Sequence, residues 1–509
     1  MPDVIPTRPR VPLQTPLAAV RSWLEAAPAG EDEDVTVTGL SLSTDRVLPG
    51  DLYAALPGSR SHGAAYAARA VEAGAVAVLT DAAGRAECES LGVPVLVVPD
   101  PRAVLGALAA RVYGHPADAL TVVAVTGTQG KTTTTRLAES GLQASGTTAA
   151  VIGTVGTRVN GRDVKTTLTT PEAPDLHALF AVMREEQVAG CAMEVSSHAL
   201  VMGRVDGVVF DVAAFTNLGR DHLDFHGSVE EYFAAKASLF TPQRTRLGLV
   251  NVDDAYGRRL VQEATVPIRT FSAGGREADW TAREITSGPQ GSTFVVDAPG
   301  REPFPAAVRL PGAFNVANTL CAIAALGEAG FDPAAVARGI AGSAGVPGRL
   351  EPVDAGQPFL ALVDYAHKPD AVRAALEALR PQTEGRLLVV LGAGGDRDTG
   401  KRPLMGEISA RLADVLVVTD DNPRTEDPAQ IRAEVLAGAR EVPAAQAADL
   451  HEEGDRRAAI RLAVSLARPG DTLVVAGKGH ETGQEVHGTV YPFDDRQVLR
   501  EELEGVVTR

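Results

Sequence analysis

YGHPADALTVVAVTGTQGKTTTTRLAESGL, residues 113–142, sets out in order a proline break at Pro116, an apolar strand, a glycine-containing loop and a helix. That is the order required of a phosphate-binding strand-loop-helix unit. Within it, Gly127-Thr128-Gln129-Gly130-Lys131-Thr132-Thr133 supplies the groups a polyphosphate needs. The glycines let backbone N–H groups approach phosphate oxygens, Lys131 neutralises charge, and the Thr132 hydroxyl can ligate Mg2+. The loop is a shorter variant of the general pattern, which calls for glycine where this chain has Val125. A glycine-rich turn with a solvated lysine is the plainer alternative, and the flanking strand and helix argue against it. Nucleotide binding is the expectation.

Upstream, from residue 34 to about 118, β-branched runs such as DVTVTGLSL and PVLVVPD alternate with alanine-rich stretches such as AAYAARAVEAGA. This predicts a small α/β unit. Downstream of the turn VPGRLEPV, the runs FLALVDYAH, RLLVVLGAGG, DVLVVTDDN and DTLVVAGKG each read as a buried strand ending in a polar loop, separated by helical patterns. Four such strands predict a parallel, doubly wound sheet whose functional groups sit at the strands' carboxyl ends. We therefore expect an α/β protein of three domains: a small N-terminal α/β domain over residues 1–118, with 1–17 disordered; a central P-loop ATPase domain over 119–349; and a C-terminal Rossmann-like, doubly wound domain over 350–509.

Composition narrows the class. Lys and Arg total 48 against 65 Asp and Glu, a formal net charge of −17, which argues against non-specific binding to nucleic acid or to an anionic membrane. Cys88, Cys191 and Cys321 are too few and too scattered for a disulfide framework and lack the spacing of a zinc site. The N-terminus has no apolar signal core and no later stretch reaches membrane-spanning length. A soluble, cytoplasmic, monomeric protein is expected.

A second cluster follows the loop. MEVSSHAL and TNLGRDHLDFHGSVEEYFAAKASLF bring Glu194, Ser196, His198, Asp221, His222, Asp224, His226 and Lys236 into a short stretch. A carboxylate and an imidazole at strand ends near a phosphate loop can hold a second Mg2+. His222 and His226 have the spacing of one helical face, as in zinc sites, but the accompanying Glu is absent. Taken alone, Lys236 reads as a surface lysine paired with Glu231 or another neighbour.

These motifs, with TTPE at Thr169 to Glu172, VDYAHKPDA, GAGGDRDTGKRPLMG, DDNPRTEDP and GKGHET, resemble in order the Mur ligase family over roughly residues 34–500. The resemblance implies an ATP-dependent amide ligase of peptidoglycan precursor synthesis that adds meso-2,6-diaminopimelate to the D-Glu of UDP-N-acetylmuramoyl-L-alanyl-D-glutamate through an acyl phosphate. It implies a CO2-derived carbamate on Lys236, which reverses the surface reading, and Mg2+ held by Thr132, Glu194, His222 and that carbamate, with Lys131 catalytic. Further ATP contacts fall on Asn315, Arg349, Asp364 and His367. The muramoyl nucleotide falls to Thr169, Thr170, Ser196 and Arg204, with Ser43, Thr44 and the Ser59–Ser61 loop near the uridine. Met202 stands where the family often has glutamine, so that hydrogen bond is missing. The motif Asp421-Asn422-Pro423-Arg424 marks the diaminopimelate-adding members, with Arg397, Gly477 and Glu481 at the other matching positions. A guanidinium grips a carboxylate bidentately, and diaminopimelate carries a distal carboxylate that lysine lacks. Lysine-adding, dipeptide-adding and folate-extending ligases of the same architecture are the near rivals. A nucleotide-hydrolysing P-loop switch is the rival from another class.

Overall fold

The computed structural model describes residues 5–26, 34–58, 60–396 and 398–507. By contact the chain divides into two compact units, residues 1–280 with 321–339, and residues 281–320 with 340–509. The expected N-terminal domain and most of the expected central one fall in the first unit, while residues 281–320 and 340–349 of the latter fall in the second.

In the first unit a four-stranded parallel sheet runs Gly39–Ser41, Asp51–Ala54, Ala77–Thr80, Val95–Val97. Its core extends to Ala178 and Ala181, which come from the helix Ala173–Glu185 of the central region. Residues 5–17, expected to be disordered, are ordered instead. Ile5 is 1% exposed, Arg8 bonds to Asp51 at 3.2 Å and to Tyr113 and Leu40 O, and Thr15–Pro16 pairs with Thr36–Val37. Two buried apolar anchors, Ile5 and Leu17, and the mostly buried Arg8 guanidinium tie down a segment whose proline content alone suggests disorder.

The central sheet orders its parallel strands Ala149–Ile152, Gly190–Glu194, Thr121–Thr126, Phe210–Phe215, Thr245–Asn251 and Ile268–Ser272. The earliest of these in sequence, Thr121–Thr126, lies between later ones, so the chain leaves it in one direction and returns on the other side. That reversal opens a crevice beyond the strand's carboxyl end, where ligands of such sheets bind. The P-loop occupies that end.

In the second unit Leu360–Asp364, Thr472–Ala476, Leu387–Leu391, Val415–Val418 and Asp449–Glu452 form a parallel sheet in that order, with Glu351–Pro352 antiparallel at one edge. Alternate residues serve opposite faces. Leu362, Val389, Leu391, Leu416, Val418 and Val474 belong to one core, and Val363, Leu388, Val390, Val415, Val417 and Val475 to the other. Helices cover both faces, which is why each run is continuously apolar. An antiparallel meander spans Trp280–Gly288, Gly291–Asp297 and Phe304–Val308. Among the described residues no helix is long and apolar enough to cross a membrane.

His177 in Ala173–Glu185 is fully buried, with Nε2 donating to Asp206 O at 3.1 Å, and burial pushes its basicity down from 6.5 to about 4. The unfolded chain takes up a proton there below pH 6.5 that the folded protein refuses until about pH 4. Stability is therefore fully present above pH 6.5 and declines through that window as pH falls, by about 3 kcal/mol. His177→Gln, which retains a donor for Asp206 O, should flatten acid unfolding over this range when followed by circular dichroism.

Candidate active site

The strand Thr121–Thr126 ends at Gly127, and the helix Lys131–Ala144 begins after Gly130 without a side-chain cap. Gly127 has φ +151°, and a Cβ there would stand 1.9 Å from Thr216 Oγ1; only glycine fits this approach. Uncapped first-turn amides at the positive end of a helix make an anion cradle. Asn217 braces the loop from the neighbouring strand's end, accepting from Thr128 N (2.9 Å) and Gln129 N (2.9 Å) and donating to Gln129 O (3.2 Å). Lys131 Nζ folds back to donate to Gly127 O at 2.7 Å and Thr128 O at 3.1 Å. Thr132 and Thr133, in the first helical turn, are each 6% exposed.

Lys236 is not a surface lysine. It is 1% exposed, its Nζ donates to the same Gly127 O at 2.8 Å and stands 4.6 Å over the Tyr232 ring. Two ammonium groups therefore converge on one carbonyl oxygen. The Tyr232 hydroxyl lies 3.2 Å from Thr128 Oγ1, joining the lysine's platform to the loop. Glu194 ends the strand beside Thr121–Thr126, is 1% exposed, and accepts from Thr154 N (2.8 Å) and Thr154 Oγ1 (3.1 Å).

His222 and His226 do not form a zinc-type pair. The helix covers only Leu223–His226, His222 caps it at φ +52° beside Asp221 (3.3 Å), and His226 is engaged with Ser197 Oγ at 2.8 Å. Among the described residues no group of three His, Cys, Asp or Glu side chains could hold a metal by itself. Oxygen donors are present instead. The Thr126 hydroxyl is buried with no hydrogen-bond partner among the described residues, and the Glu194 carboxylate, with two bonds from Thr154, keeps acceptor capacity. Together with the Thr132 hydroxyl, this set fits a hard divalent cation that takes its other ligands from phosphate and water. The side chain of Asp224 lies outside what is described.

Of the residues expected at the muramoyl nucleotide, Thr170 Oγ1 donates to Glu194 O (2.9 Å) and accepts from Ser196 N (3.2 Å), while Thr169 Oγ1 is 3.1 Å from Thr154 Oγ1. Thr170 is thus joined to the Glu194 backbone carbonyl, and Thr169, through Thr154, to the Glu194 carboxylate. Arg204 Nε pairs with Glu172 at 2.8 Å, and Glu172 also meets Arg102 at 3.2 Å. Arg102 Nη1 donates to Met202 O at 3.3 Å, so the backbone of Met202 is held although its side chain offers no amide. Ser43 N donates to Ser41 Oγ, and Thr44 opens the short turn ending in Arg46. Arg46 grips Asp175 with bonds of 2.9 and 2.8 Å and lines with Thr7, Thr167 and Leu168 an open cleft of about 290 Å³. Ser59 lies outside the described residues.

In the second unit Asn315 is 2% exposed, its Nδ2 donating to Pro311 O at 2.7 Å and its Oδ1 accepting from Asn318 at 3.1 Å. One N–H and one lone pair of its amide are thus used at its own helix start, and a second of each remains. The Arg349 guanidinium stands 4.7 Å over the Tyr365 ring. Asp364 accepts from Leu350 N (2.8 Å) and Ala366 N (2.9 Å); burial raises its carboxyl, and the Arg349 charge opposes that. His367 Nδ1 donates to Tyr365 O at 2.8 Å, and burial pushes the ring down to about 4, leaving it neutral near pH 7.

The DNPR residues sit beyond the strand Val415–Val418. Asp421 is 7% exposed, its Oδ2 has no hydrogen-bond partner among the described residues, and a Cβ at Gly477 (φ +118°) would stand 2.4 Å from it. Asn422 Nδ2 donates to Glu481 Oε2 at 2.9 Å, and the fully buried Lys478 Nζ donates to Asn422 Oδ1 (3.0 Å) and Glu481 Oε2 (3.2 Å). Arg424 Nη1 donates to Gly395 O at 2.6 Å. Asp421, Asn422, Arg424, Gly477 and Glu481 are thereby gathered at one sheet end, whereas Arg397 lies outside the described residues.

Comparison with known proteins agrees across the chain. The Mur ligase family, catalytic domain matches residues 36–113, the Mur ligase middle domain 125–326, and the Mur ligase, glutamate ligase domain 348–479. The chain belongs to the Mur ligase family. It has that family's architecture of N-terminal, central and C-terminal domains. The chain is 56% identical over 500 residues, 98% of each chain, to a protein of Streptomyces avermitilis named UDP-N-acetylmuramoyl-L-alanyl-D-glutamate--2,6-diaminopimelate ligase. It is 45% identical to a UDP-N-acetylmuramyl-tripeptide synthetase of Leifsonia xyli, covering 97% of this chain and 98% of that one. A solved structure of a UDP-N-acetylmuramoyl-L-alanyl-D-glutamate--2,6-diaminopimelate ligase shares 32% identity and a TM-score of 0.69, covering 98% of this chain and 100% of the other.

Several residues that shape this Mur ligase site escape motif reading. Asn217, Tyr232 and Glu172 lie inside recognised motifs and Thr154 outside them, and all four act on partners remote in sequence. Lys478 stands in GKGHET, where its lysine could have been suspected. Arg456 had no signal. It is fully buried, pairs with Asp495 (2.7 and 2.6 Å), and donates to Asp420 O (3.2 Å) and Ala476 O (3.0 Å), the carbonyls just before Asp421 and Gly477. Arg456→Ala leaves Asp495 buried and unpaired and should destabilise the protein by about 3–5 kcal/mol. Calorimetry should show most of that loss recovered in the double replacement Arg456→Met, Asp495→Leu.

Proposed function

We propose that the chain is an ATP-dependent ligase joining meso-2,6-diaminopimelate to the D-Glu carboxylate of UDP-N-acetylmuramoyl-L-alanyl-D-glutamate, acting as a cytoplasmic monomer in peptidoglycan precursor synthesis. The observation that carries this reading is the convergence of Lys131 and Lys236 on Gly127 O in a phosphate loop beside Glu194, in a chain so alike throughout to a protein named for that activity.

In the first step a D-Glu carboxylate oxygen attacks the γ-phosphorus of ATP, the bond to the bridging oxygen breaks, and acyl phosphate and ADP form. The amine nitrogen of diaminopimelate then attacks the acyl carbon, loses a proton, and expels phosphate through a tetrahedral intermediate. Charge moves at each step, so positioning and neutralisation matter more than covalent help. Lys131 and the loop amides serve the phosphates. Mg2+, held by Thr132, Glu194, His222 and a carbamate on Lys236, would supply the remaining charge neutralisation. The carbamate forms when the neutral Lys236 amine attacks CO2 and releases a proton. It replaces one of two repelling cations at Gly127 O by an anion, which favours the modification. Thr169, Thr170, Ser196 and Arg204 hold the muramoyl peptide, and Asn315, Arg349, Asp364 and His367 the nucleoside side of ATP. Arg424 and Glu481 take the distal carboxylate and ammonium of diaminopimelate.

Release of ADP by the purified protein, with Mg·ATP and the UDP-muramoyl dipeptide, should require an amine and be greatest with meso-diaminopimelate against the LL form and L-lysine. Preference for lysine would overturn the role of Arg424; release without any amine would point to a nucleotide-hydrolysing switch. Lys236→Ala should lower kcat by about 100-fold or more, the usual cost of losing a transition-state charge stabiliser.

A further inference from the structure

The loop bearing Arg424 is stitched to a two-stranded hairpin, Gly483–Val486 with Thr489–Pro492. Arg424 N donates to Glu485 O at 3.0 Å, His487 N donates to Arg424 O at 2.6 Å, and Arg424 forms a parallel bridge with Val486. Glu485 N donates to Asn422 Oδ1 at 2.9 Å, and Gln484 Nε2 to Asp421 O at 2.7 Å. Arg424 has φ +52°, a left-handed conformation that costs a non-glycine residue energy and persists where its surroundings enforce it. The hairpin is that enforcement. It also brings a charge. Glu485 Oε2 lies 3.4 Å from Arg424 Nε, while the side chains remain 40% and 24% exposed.

We propose that Glu485 is the resident counter-ion of Arg424 in the unliganded protein, standing in for the distal carboxylate of the amino acid substrate and weakening its binding by competition. This rests on the reading of Arg424 as the carboxylate-binding residue. A guanidinium carries five donors in a planar fork; one nitrogen of Arg424 is committed to Gly395 O, and Glu485 borders another edge. Glu485 is tethered there by a fixed backbone, so its local concentration is high, yet its exposure lets the carboxylate turn to water at small cost. A substrate carboxylate must displace it, whereas an amine without that group leaves the pair intact.

The test is steady-state kinetics of the full chain with saturating Mg·ATP and UDP-muramoyl dipeptide and varied meso-diaminopimelate. Glu485→Gln should lower KM for diaminopimelate about 2- to 5-fold, the range for a partly exposed ion pair, with a smaller change in kcat. In an Arg424→Ala background the same substitution should leave kcat/KM unaltered, a quantity measurable even when saturation fails. An unchanged or raised KM in Glu485→Gln, or an equal gain without Arg424, overturns the proposal. Wild-type turnover that is absent with diaminopimelate or greater with lysine would instead strike at the role of Arg424 itself, and is read separately from the variants.

Discussion

One backbone carbonyl, that of Gly127, receives both the Lys131 and the Lys236 ammonium groups. The surrounding residues follow from that arrangement. The oxygen is available because Gly127 turns at φ +151° with no Cβ against Thr216. Lys236 reaches it only because its helix, Val229–Ala237, packs Tyr232 and Phe233 into the central core. Asn217 and Tyr232 then hold the loop from two further directions. Concentrated positive charge in a chain of net charge −17 gives a polyanion a local reason to bind where the average field opposes it.

The second unit solves a related problem with a different device. Its sheet ends carry buried charges of both signs, each tied to backbone or to an opposite partner: Lys478 with Asn422 and Glu481, Arg456 with Asp495, and Arg402 with Glu426 and Glu434. Arg402 and Arg456 are completely buried yet bonded on several nitrogens. Such networks contribute little net stability compared with apolar packing, but they strongly penalise any rearrangement that separates the partners. They therefore suit a surface that must present Asp421, Asn422 and Arg424 in fixed positions.

Much of this was legible in the chain. The P-loop could be read because its function demands glycine at set places between a strand and a helix. The C-terminal strands could be read because a sheet covered on both faces needs uninterrupted apolar runs. Lys236 shows where local reading ends: EEYFAAKASLF has the appearance of a surface helix, and only the resemblance to a family suggested otherwise. The N-terminal segment erred in the same direction, since Ile5 and Arg8 are held by residues 34–113 and beyond rather than by their neighbours.

The sequence by itself determined the α/β class, the order of the elements, the phosphate loop and the residue types gathered near it, because these depend on periodicity and backbone geometry that neighbouring residues impose. The tertiary structure alone decided that Lys236 is buried against Gly127, that Arg456 supports the two strand ends next to Asp421 and Gly477, and that Glu485 faces Arg424. Each of those depends on segments distant in sequence meeting in space. Burial, charge pairing and competition for a single guanidinium are properties of that meeting, and no local pattern encodes them.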